Sequence, residues 1–327
     1  MLTFIDLFCG GGFGARGAVN AGGKPLLAVD YWDLAAQNYQ ANFPDAEVLA
    51  AKIEDVDPIE YAAKYKPDVL LTSPECTSHS IARGAKPGCE KSRETALGIQ
   101  PWINALKPRW VIVENVPRMK KWEKHDQLVA DIEQAGYAVS PLVLNAADFG
   151  APQSRLRMFL VCSKNQHVFT RDELFEEFGS KKAAAKSFID FSGKYKSTPL
   201  YTEKRAKATL ERAERGISAL GKGVNFLIVY YSTDYAGGWQ RIDEPLRTIT
   251  TVDRFGLVTW KEDIPYLRML QPEELKLAMG ATKRHQLAVG NRRDKVKMCG
   301  NGVCSTVIET LFNKIKSIEY STLDKVS

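Results

Sequence analysis

The sequence of 327 residues lacks the features that mark membrane and disulfide-stabilised proteins. No apolar run approaches the roughly 18 residues that cross a bilayer, which excludes a membrane protein built on spanning helices. Six cysteines are present and none forms a Cys-x-x-Cys pair, so a disulfide scaffold and a zinc ribbon are both disfavoured. The first residues, MLTFIDLFCG, lack a basic segment and carry Asp6 inside their apolar run, unlike a signal peptide. We therefore expect a reduced, cytoplasmic, soluble protein without a structural metal.

The excess of positive charge is also small, but it is unevenly placed. The formal net charge is +6. Residues 1–163 hold 17 Lys and Arg against 19 Asp and Glu, whereas residues 164–222 hold 13 against 8 and residues 281–300 hold 6 against 1. Each basic stretch is either a solvated surface or a face that meets phosphates, and charge alone leaves both readings open.

Apolar runs and helical patterns alternate in the first half of the chain. The runs, rich in Val, Ile, Leu and Phe, are typical of buried strands and cover residues 2–8, 26–30, 69–72, 110–115, 139–145 and 157–162. Apolar residues at helical spacing lie between them, in residues 16–21, 34–43, 95–106 and 123–136. This alternation predicts an α/β fold with a doubly wound, mostly parallel sheet, which binds ligands beyond the carboxyl ends of its strands.

The pattern changes after residue 163. Residues 164–265 combine a Lys-, Ala- and Glu-rich stretch with two strand-like runs, at 225–231 and 255–260, and we expect a smaller, less regular domain there. Residues 266–327 contain two helical patterns, at 272–279 and 303–316, and we expect them to return to the first domain. The Gly-Asn-Gly of residues 300–302 is interpreted as a turn that opens the last helix.

The Gly-rich segment DLFCGGGFG follows the first predicted strand and precedes a helix. Glycines let a backbone approach a ligand closely, and a helix N-terminus offers free amides. Asp30 ends the second predicted strand, where an acid can grip a ribose hydroxyl, and Tyr31 beside it can stack on an adenine. A structural tight turn explains the glycines alone equally well, but the combination indicates a site for a nucleoside cofactor.

Two further strands end in residues that can carry chemistry. Cys76 lies in TSPECTSHS, on a proline-stiffened loop past the strand 69–72, and is either a nucleophile or a small buried side chain. The neighbouring Glu75 disfavours a thiolate. Glu114 ends the strand 110–115, and either caps the next helix or acts as an acid beside the cysteine. The polar loop after Cys76 is interpreted as a lid.

Arg155 and Arg157 alternate in FGAPQSRLRMF, so an extended strand places both on the same face. They either recognise an anion or a carbonyl group, or form surface ion pairs. The segment QRIDEPLRTITTVDRF offers arginines and threonines that reach base edges if it faces a nucleic acid, and is otherwise a plain pair of strands.

In their order and separation, these motifs resemble those of the DNA cytosine-5 methyltransferases. The Gly-rich turn, the Cys76 loop, the Glu-Asn-Val triplet, the Pro-Gln-x-Arg-x-Arg strand, RMLQPEELKLAMG and the closing Gly-Asn all match. The resemblance covers about residues 1–163 and 266–313. Residues 164–265 fall where the family has its variable target-recognition domain.

The resemblance implies that a methyl group passes from S-adenosylmethionine to carbon 5 of a cytosine that is flipped out of duplex DNA. Cys76 matches the nucleophile that adds to carbon 6, and Glu114 the acid that contacts the ring nitrogen and amino group. Arg157 matches the residue held against the base carbonyl, and Arg155 its neighbour near the backbone. These four are the predicted catalytic residues.

The resemblance also implies two sets of binding residues. Those that match the cofactor site are Phe8, Gly10, Gly12, Asp30, Tyr31, Ile53, Pro74 and Asn301. Those expected to contact DNA are Ser80, Arg83, Gln153, Arg247, Thr250 and Arg254. The chain departs from the family pattern where Glu75 and Thr77 flank the cysteine, where Lys52 replaces an acid before Ile53, and where Phe13 replaces a glycine.

Two alternatives use the same fold, namely a methyltransferase for cytosine in tRNA and a catalytically silent regulatory relative. Residues 164–265 leave room for a domain that reads a groove, which favours duplex DNA as the partner. We expect a monomer encoded by a bacterium or a phage, and the resemblance leaves a restriction endonuclease open as a partner in the cell. The recognition sequence is not legible from the chain.

Overall fold

The computed structural model describes residues 1–74, 95–231 and 235–323. Its larger sheet has seven strands in the order β3-β2-β1-β4-β5-β7-β6. The strands are β1 (Thr3–Leu7), β2 (Lys24–Asp30), β3 (Glu47–Ala50), β4 (Val69–Thr72), β5 (Trp110–Asn115), β6 (Ala138–Asn145) and β7 (Leu156–Ser163). Only β7 runs antiparallel to its neighbours within this sheet, so the predicted mostly parallel sheet is confirmed.

Helices cover both faces of the sheet, because successive residues of its buried strands point to opposite sides. On β1, Phe4 joins the core with α1 and the last helix, whereas Ile5 and Leu7 join the core on the other face. The described helices of this body are α1 (Phe13–Asn20), α2 (Asp33–Asn42), α3 (Pro58–Lys64), α4 (Ile99–Leu106), α5 (His125–Gln134) and α6 (Arg171–Phe178). None of the helices in the described part of the chain is long and apolar enough to cross a membrane.

A second sheet is antiparallel and has five strands in the order β10-β9-β11-β12-β8. Its strands are β8 (Thr198–Pro199), β9 (Phe226–Val229), β10 (Trp239–Arg241), β11 (Phe255–Lys261) and β12 (Ile264–Met269), and α7 (Lys207–Leu220) packs on it. The sheet therefore continues past residue 265, where the sequence suggested a boundary. Phe169, Leu174 and Phe188 pack in the core of the larger sheet, so residues just after 163 still belong to that body by packing.

The C-terminal segment returns to the larger sheet through α8 (Pro272–Ala278), α9 (Arg292–Asn301) and α10 (Ser305–Leu323). The interpretation of residues 300–302 as the turn that opens the last helix was wrong in part. Gly300 and Asn301 end α9, which begins at a capping box between Asn291 and Asp294. Gly302 caps α9, and α10 starts only at Ser305.

Candidate active site

The turn between β1 and α1 is held in a strained conformation. Phe8 has a φ of 56°, in the left-handed region that residues other than glycine rarely adopt. Its carbonyl accepts a hydrogen bond from Ser73 Oγ at 3.0 Å, and the N–H of Cys9 donates to the carbonyl of Val29 at 3.1 Å. Such strain costs on the order of 1–3 kcal/mol and persists where the surroundings fix it, most often at functional sites.

The two glycines predicted to meet the cofactor differ in their surroundings. Gly10 has a φ of 51°, and no atom lies within 4 Å of the place where a Cβ would stand, so this backbone faces open space. Gly12 has a φ of 82°, but a Cβ there would lie 2.8 Å from the ring of Phe43. Gly12 is thus required for packing against Phe43 at the end of α2, and its contact with the cofactor stays a prediction.

A narrow cleft opens at the carboxyl ends of β1 and β4. Three of the predicted cofactor residues line it, namely Phe8, Gly10 and Asn301. The remainder of its wall consists of Asp6, Cys9, Gly14, Leu71, Ser73, Gly302 and Val303. The cleft therefore joins the Gly-rich turn to the end of α9, almost 300 residues away in the chain.

Asp30 holds the rim of this cleft. Its Oδ2 accepts the N–H of Gly10 at 2.8 Å and its Oδ1 accepts the N–H of Trp32 at 2.9 Å. The next residue, Tyr31, is 53% exposed. Ile53 is buried and lies against Gly98, at the start of α4. The predicted cofactor residues thus follow one another along the ends of neighbouring strands.

The base of the cleft is acidic. Asp6 is buried, and its burial together with the charge of Asp30 raises the pKa of its carboxyl well above the usual value. The same causes raise the pKa of the Cys9 thiol. The raised pKa favours the protonated, uncharged form of Asp6, so the base of the cleft is lined by a polar carboxyl that carries its charge only at higher pH than an exposed aspartate.

Glu114 and Arg157 form a pair at the carboxyl end of β5. Their strands are antiparallel neighbours, in a register that pairs Glu114 with Phe159. Glu114 Oε1 lies 3.2 Å from Arg157 Nε, and the two side chains are only 9% and 16% exposed. Burial raises the pKa of Glu114 more than the charges of Arg157 and Arg155 lower it. The carboxyl therefore holds a proton at a higher pH than an exposed glutamate does.

Asn115 fixes the start of the loop that contains Cys76. Its Nδ2 donates to the carbonyl of Pro74 at 3.2 Å, and its Oδ1 accepts the N–H of Val116 at 2.8 Å. Pro74 is buried and ends the described segment next to the Glu114 strand end. The predicted residues Cys76, Ser80 and Arg83, and the unusual Glu75 and Thr77, lie outside the described residues.

Arg155 has different contacts from Arg157, although the sequence places both side chains on the same face of the strand. It is 3% exposed, and its guanidinium donates to the carbonyls of Ile249, Gly300 and Gly302 at 2.8–3.0 Å. Its charge also lowers the pKa of Glu114, so it lies near the site, but its donors hold backbone. The prediction that Arg155 is itself a catalytic group is therefore corrected to a supporting role.

The prediction that Gln153 contacts DNA was wrong. Its side chain is fully buried, its Nε2 donates to the carbonyl of Ala278 at 3.2 Å, and its Oε1 accepts the N–H of Ile249 at 2.8 Å. Of the other predicted contacts, Arg247 and Thr250 are half-buried on the segment that joins the two sheets. Arg254 is also half-buried, and its Nη1 donates to the carbonyl of Tyr230 at 2.6 Å.

Sequence reasoning missed a pair of asparagines on α2 that supports the Gly-rich turn. Asn38 is fully buried; its Nδ2 donates to the carbonyl of Gly11 at 3.0 Å and its Oδ1 accepts the N–H of Ala288 at 2.7 Å. Asn42 exchanges two hydrogen bonds with the backbone of Gln286. Their i, i+4 spacing puts them on one helix face, but nothing in the sequence indicates what that face meets. Within residues 1–74, 95–231 and 235–323, no three His, Cys, Asp or Glu side chains are grouped to hold a metal.

Comparison with curated proteins finds bacterial DNA-modifying enzymes. The chain is 29% identical over 199 residues to the type II methyltransferase M.HgiDI of Herpetosiphon aurantiacus, in an alignment that covers 60% of this chain and 63% of that protein. It is 33% identical over 176 residues to the type II methyltransferase M.HhaI of Haemophilus parahaemolyticus, covering 50% of each. The chain thus spans less than two-thirds of the length of these relatives.

Solved structures with the same fold cover nearly the whole chain. A DNMT2 variant from Spodoptera frugiperda superposes with a TM-score of 0.69 at 16% identity, covering 95% of this chain and 98% of that one. A putative DNA modification methyltransferase encoded within an Escherichia coli prophage gives the same TM-score and identity, covering 97% and 99%. At this identity the likeness establishes the fold, a Rossmann-like sheet with an additional domain.

The sequence model of the C-5 cytosine-specific DNA methylase family matches residues 2–317, which include the cleft, the Glu114–Arg157 pair and both sheets. The predicted family is thereby confirmed. The chain belongs to the C-5 cytosine-specific DNA methylases.

Proposed function

We propose that this protein transfers a methyl group from S-adenosylmethionine to carbon 5 of cytosine in duplex DNA. The buried Glu114–Arg157 pair carries this proposal. It combines an acid of raised pKa with a guanidinium, next to the strand end that leads to Cys76 and beside the acidic cleft. A cytosine ring needs this combination, since its ring nitrogen accepts a proton and its carbonyl oxygen accepts a hydrogen bond.

The cleft suits the cofactor of this family, S-adenosylmethionine. When bound, the cofactor supplies an electrophilic methyl group on a cationic sulfur. Gly10 and Asn301 would hold its methionine end, Asp30 its ribose hydroxyls, and Tyr31 with Ile53 its adenine. Asp30, whose two carboxyl oxygens accept the N–H groups of Gly10 and Trp32, would also fix the turn against which the cofactor lies.

Cys76, Glu114 and Arg157 would prepare the base. The thiolate of Cys76 adds to carbon 6, Glu114 donates its proton to the ring nitrogen, and Arg157 holds the carbonyl oxygen. Carbon 5 gains electron density as this bond forms, and takes the methyl group. Loss of the carbon-5 proton to a base would then restore the double bond as the thiolate of Cys76 leaves, and the ring nitrogen would return its proton to the Glu114 carboxylate. Because burial raises the pKa of Glu114, a larger fraction of this carboxyl holds the proton that the first step consumes than in an exposed glutamate.

Duplex DNA hides carbon 5 and carbon 6 in the base stack, so the target cytosine must be flipped out at a cost of a few kcal/mol. We propose that residues 1–163 form the catalytic domain and residues 266–327 complete it, with Phe169, Leu174 and Phe188 packed in its core and β12 shared with the second sheet. Residues 164–265 then form the target-recognition domain, in which Arg247, Thr250 and Arg254 approach the DNA, with Ser80 and Arg83 on the catalytic side. A monomer in the bacterial cytoplasm, with or without a companion restriction endonuclease, is consistent with the type II relatives.

The test is the incorporation of label from methyl-labelled S-adenosylmethionine into bacterial genomic DNA that carries no methylcytosine. We expect the wild-type chain to label this DNA and Cys76→Ser to label none. The matched control is Cys162→Ala, because Cys162 is buried on β7 opposite Val111, at the far end of the strands from Glu114. Bisulfite sequencing of the labelled DNA then gives the position of the methylcytosine and its sequence context.

Three outcomes contradict the proposal. Labelling of tRNA in place of DNA would identify the alternative substrate. Retention of activity in Cys76→Ser would exclude the covalent route. Failure of the wild-type chain to label either nucleic acid, while it binds the cofactor, would identify a silent relative.

A further inference from the structure

Arg155 joins two segments that are far apart in the chain. Its own backbone is fixed, since its N–H donates to Asn145 Oδ1 at 3.0 Å and its carbonyl accepts the N–H of Ala146 at 3.0 Å. From this fixed point its Nη1 donates to the carbonyl of Ile249 at 3.0 Å. Its Nη2 donates to the carbonyls of Gly300 and Gly302 at 2.8 and 3.0 Å. One buried guanidinium thus satisfies carbonyls on both segments.

Gln153 adds a second connection to the same place. Its Oε1 accepts the N–H of Ile249, and its Nε2 donates to the carbonyl of Ala278, at the end of α8. The two segments also touch directly. A Cβ on Gly300 would overlap the backbone of Thr250 and lie 2.6 Å from the nitrogen of Thr251, so only glycine allows this approach. Residues 246–251 and 300–303 are therefore packed together without space for independent movement.

The two segments belong to different parts of the site. Asn301, Gly302 and Val303 line the cleft, so residues 300–303 form a wall that a bound cofactor contacts. At the start of the other segment, Leu246 bonds to the backbone of Pro152 and Ser154, just before β7. Residues 246–251 then lead toward β11 of the antiparallel sheet, and they contain Arg247 and Thr250, which we propose to approach the DNA. Arg155 is bonded to both segments, and Gln153 anchors Ile249 of the first segment to the end of α8 beside them.

We infer that Gln153 and Arg155 are positioning residues that make residues 246–251 and 300–303 open and close as one unit, so that cofactor binding orders the DNA-contacting segment. The inference rests on the proposed function for the identity of the two ligands. Residues 246–251 cannot move away without breaking the hydrogen bond between Arg155 and Ile249. A buried guanidinium that has lost part of its hydrogen bonds destabilises the protein, so this opening is unfavourable. A ligand in the cleft binds only the closed wall, and so raises the free energy of opening for both segments.

Hydrogen exchange of the backbone amides tests this coupling without any DNA. The probe is S-adenosylhomocysteine, whose dissociation constant is measured first by calorimetry. At a free concentration of 100 times that constant, exchange of a peptide that opens only with the wall slows by about 100-fold. We expect this slowing in peptides covering 246–251 as well as those covering 300–303. The lysine of Arg155→Lys lacks the planar guanidinium that bonds to both segments. In this variant we expect exchange to slow in residues 300–303 alone.

Two further variants separate coupling from general damage. Arg268→Lys is the matched control, because Arg268 is also buried and holds Glu274 and the carbonyl of Asp190, but contacts neither segment. It should keep the full slowing in 246–251. Gln153→Met leaves Arg155 in place and removes the hydrogen bond to Ile249. We expect it to reduce the slowing of exchange in residues 246–251, and it replaces Arg155→Lys as the test variant if Arg155→Lys does not fold.

The outcomes distinguish this inference from the proposed function. Binding of S-adenosylhomocysteine with no slowing in 246–251 of the wild-type chain would overturn the coupling and leave the proposed function intact. Slowing that persists fully in Arg155→Lys and Gln153→Met would remove these residues from the role. If the wild-type chain does not bind S-adenosylhomocysteine, the proposed function fails and the inference fails with it.

Discussion

Replacement of Gly17 by alanine should separate the two helices that support the cofactor cleft. Gly17 lies within α1 and faces the start of α10. A Cβ there would overlap the carbonyl oxygen of Ser305 and lie 2.9 Å from its carbonyl carbon and 3.0 Å from the nitrogen of Glu309. These are backbone atoms of a helix and cannot rotate away. Because heavy atoms pack at about 3.5–4.0 Å and the Ser305 oxygen would lie only 2.0 Å from the added Cβ, the helices must move apart by roughly 1 Å or more.

The expected cost follows from two opposed effects. Alanine is favoured over glycine within a helix by about 1 kcal/mol. Overpacking of a close contact costs about 1–3 kcal/mol, and contact with backbone on both sides puts this case at the upper end. We therefore expect Gly17→Ala to lower the free energy of unfolding by about 2 kcal/mol, as measured by urea denaturation.

Gly14 provides the control within the same helix. A Cβ there would lie 3.4 Å from Leu71 Cδ2 and 3.6 Å from Val303 Cβ, which is ordinary contact with side chains. Gly14→Ala should therefore leave stability unchanged or raise it by up to about 1 kcal/mol. Equal stability of the two variants would refute the reasoning. The effect of the same substitution in the same helix would then not depend on the space available for the added methyl group.

Three other predictions concern charge. Burial acts to raise the pKa of Glu173, but the hydrogen bond to Lys314 and the charge of that lysine hold the pKa below its usual value. Lys314→Met should therefore lower the free energy of unfolding by about 1 kcal/mol at pH 7. The difference in stability between wild type and Lys314→Met should vanish as the pH falls through the lowered pKa of Glu173. Urea denaturation at several pH values measures it. Burial lowers the pKa of His285 to about 3, whereas an unfolded histidine gains its proton near 6.5. Between pH 7.5 and 5.5, wild type should lose about 1.4 kcal/mol more stability than His285→Phe. Arg293 is exposed, so Arg293→Gln should reduce the slope of log affinity for duplex DNA against log salt by about 0.9 in a filter-binding titration. Arg292 is bound to Asp253 at 2.9 Å, so Arg292→Gln should lower stability instead.

Burial on both faces explains why most of the larger sheet was predictable. Strands such as β4 and β5 are continuous apolar runs because every residue packs against a helix layer, and that pattern needs no tertiary information. The short β3 lies at the sheet edge with half-buried side chains, so its composition carries no such signal. Helix α9 was missed for a related reason. It is mostly polar, and only its last turns are buried, so its start depends on the Asn291 capping box and not on periodicity.

The candidate site was predictable where the strand order brings distant residues together. Glu114 and Arg157 each end or begin a recognisable strand, and the antiparallel pairing of β5 with β7 places them in contact. The alternation of Arg155 and Arg157 gave the correct face but not the partners, because the carbonyls that Arg155 holds come from segments about 95 and 145 residues further on. Gln153 failed as a DNA contact for the same reason, since a polar side chain in a motif does not reveal whether it meets solvent or buried backbone.

The cleft depends on the end of the chain as much as on its beginning. Ser305 Oγ donates to the carbonyl of Phe13 at 2.7 Å, directly after the wall at 300–303, and Lys316 Nζ donates to the carbonyl of Ala21 at 2.8 Å. Further along α10, Glu319 accepts the indole N–H of Trp110, which is buried in the sheet, at 2.7 Å. The last helix is therefore bound to both ends of α1 and to the central strands. Because α10 begins directly after the wall and is anchored to α1 and to the central sheet, a cofactor that binds the wall of the folded chain raises the free energy of unfolding of this body.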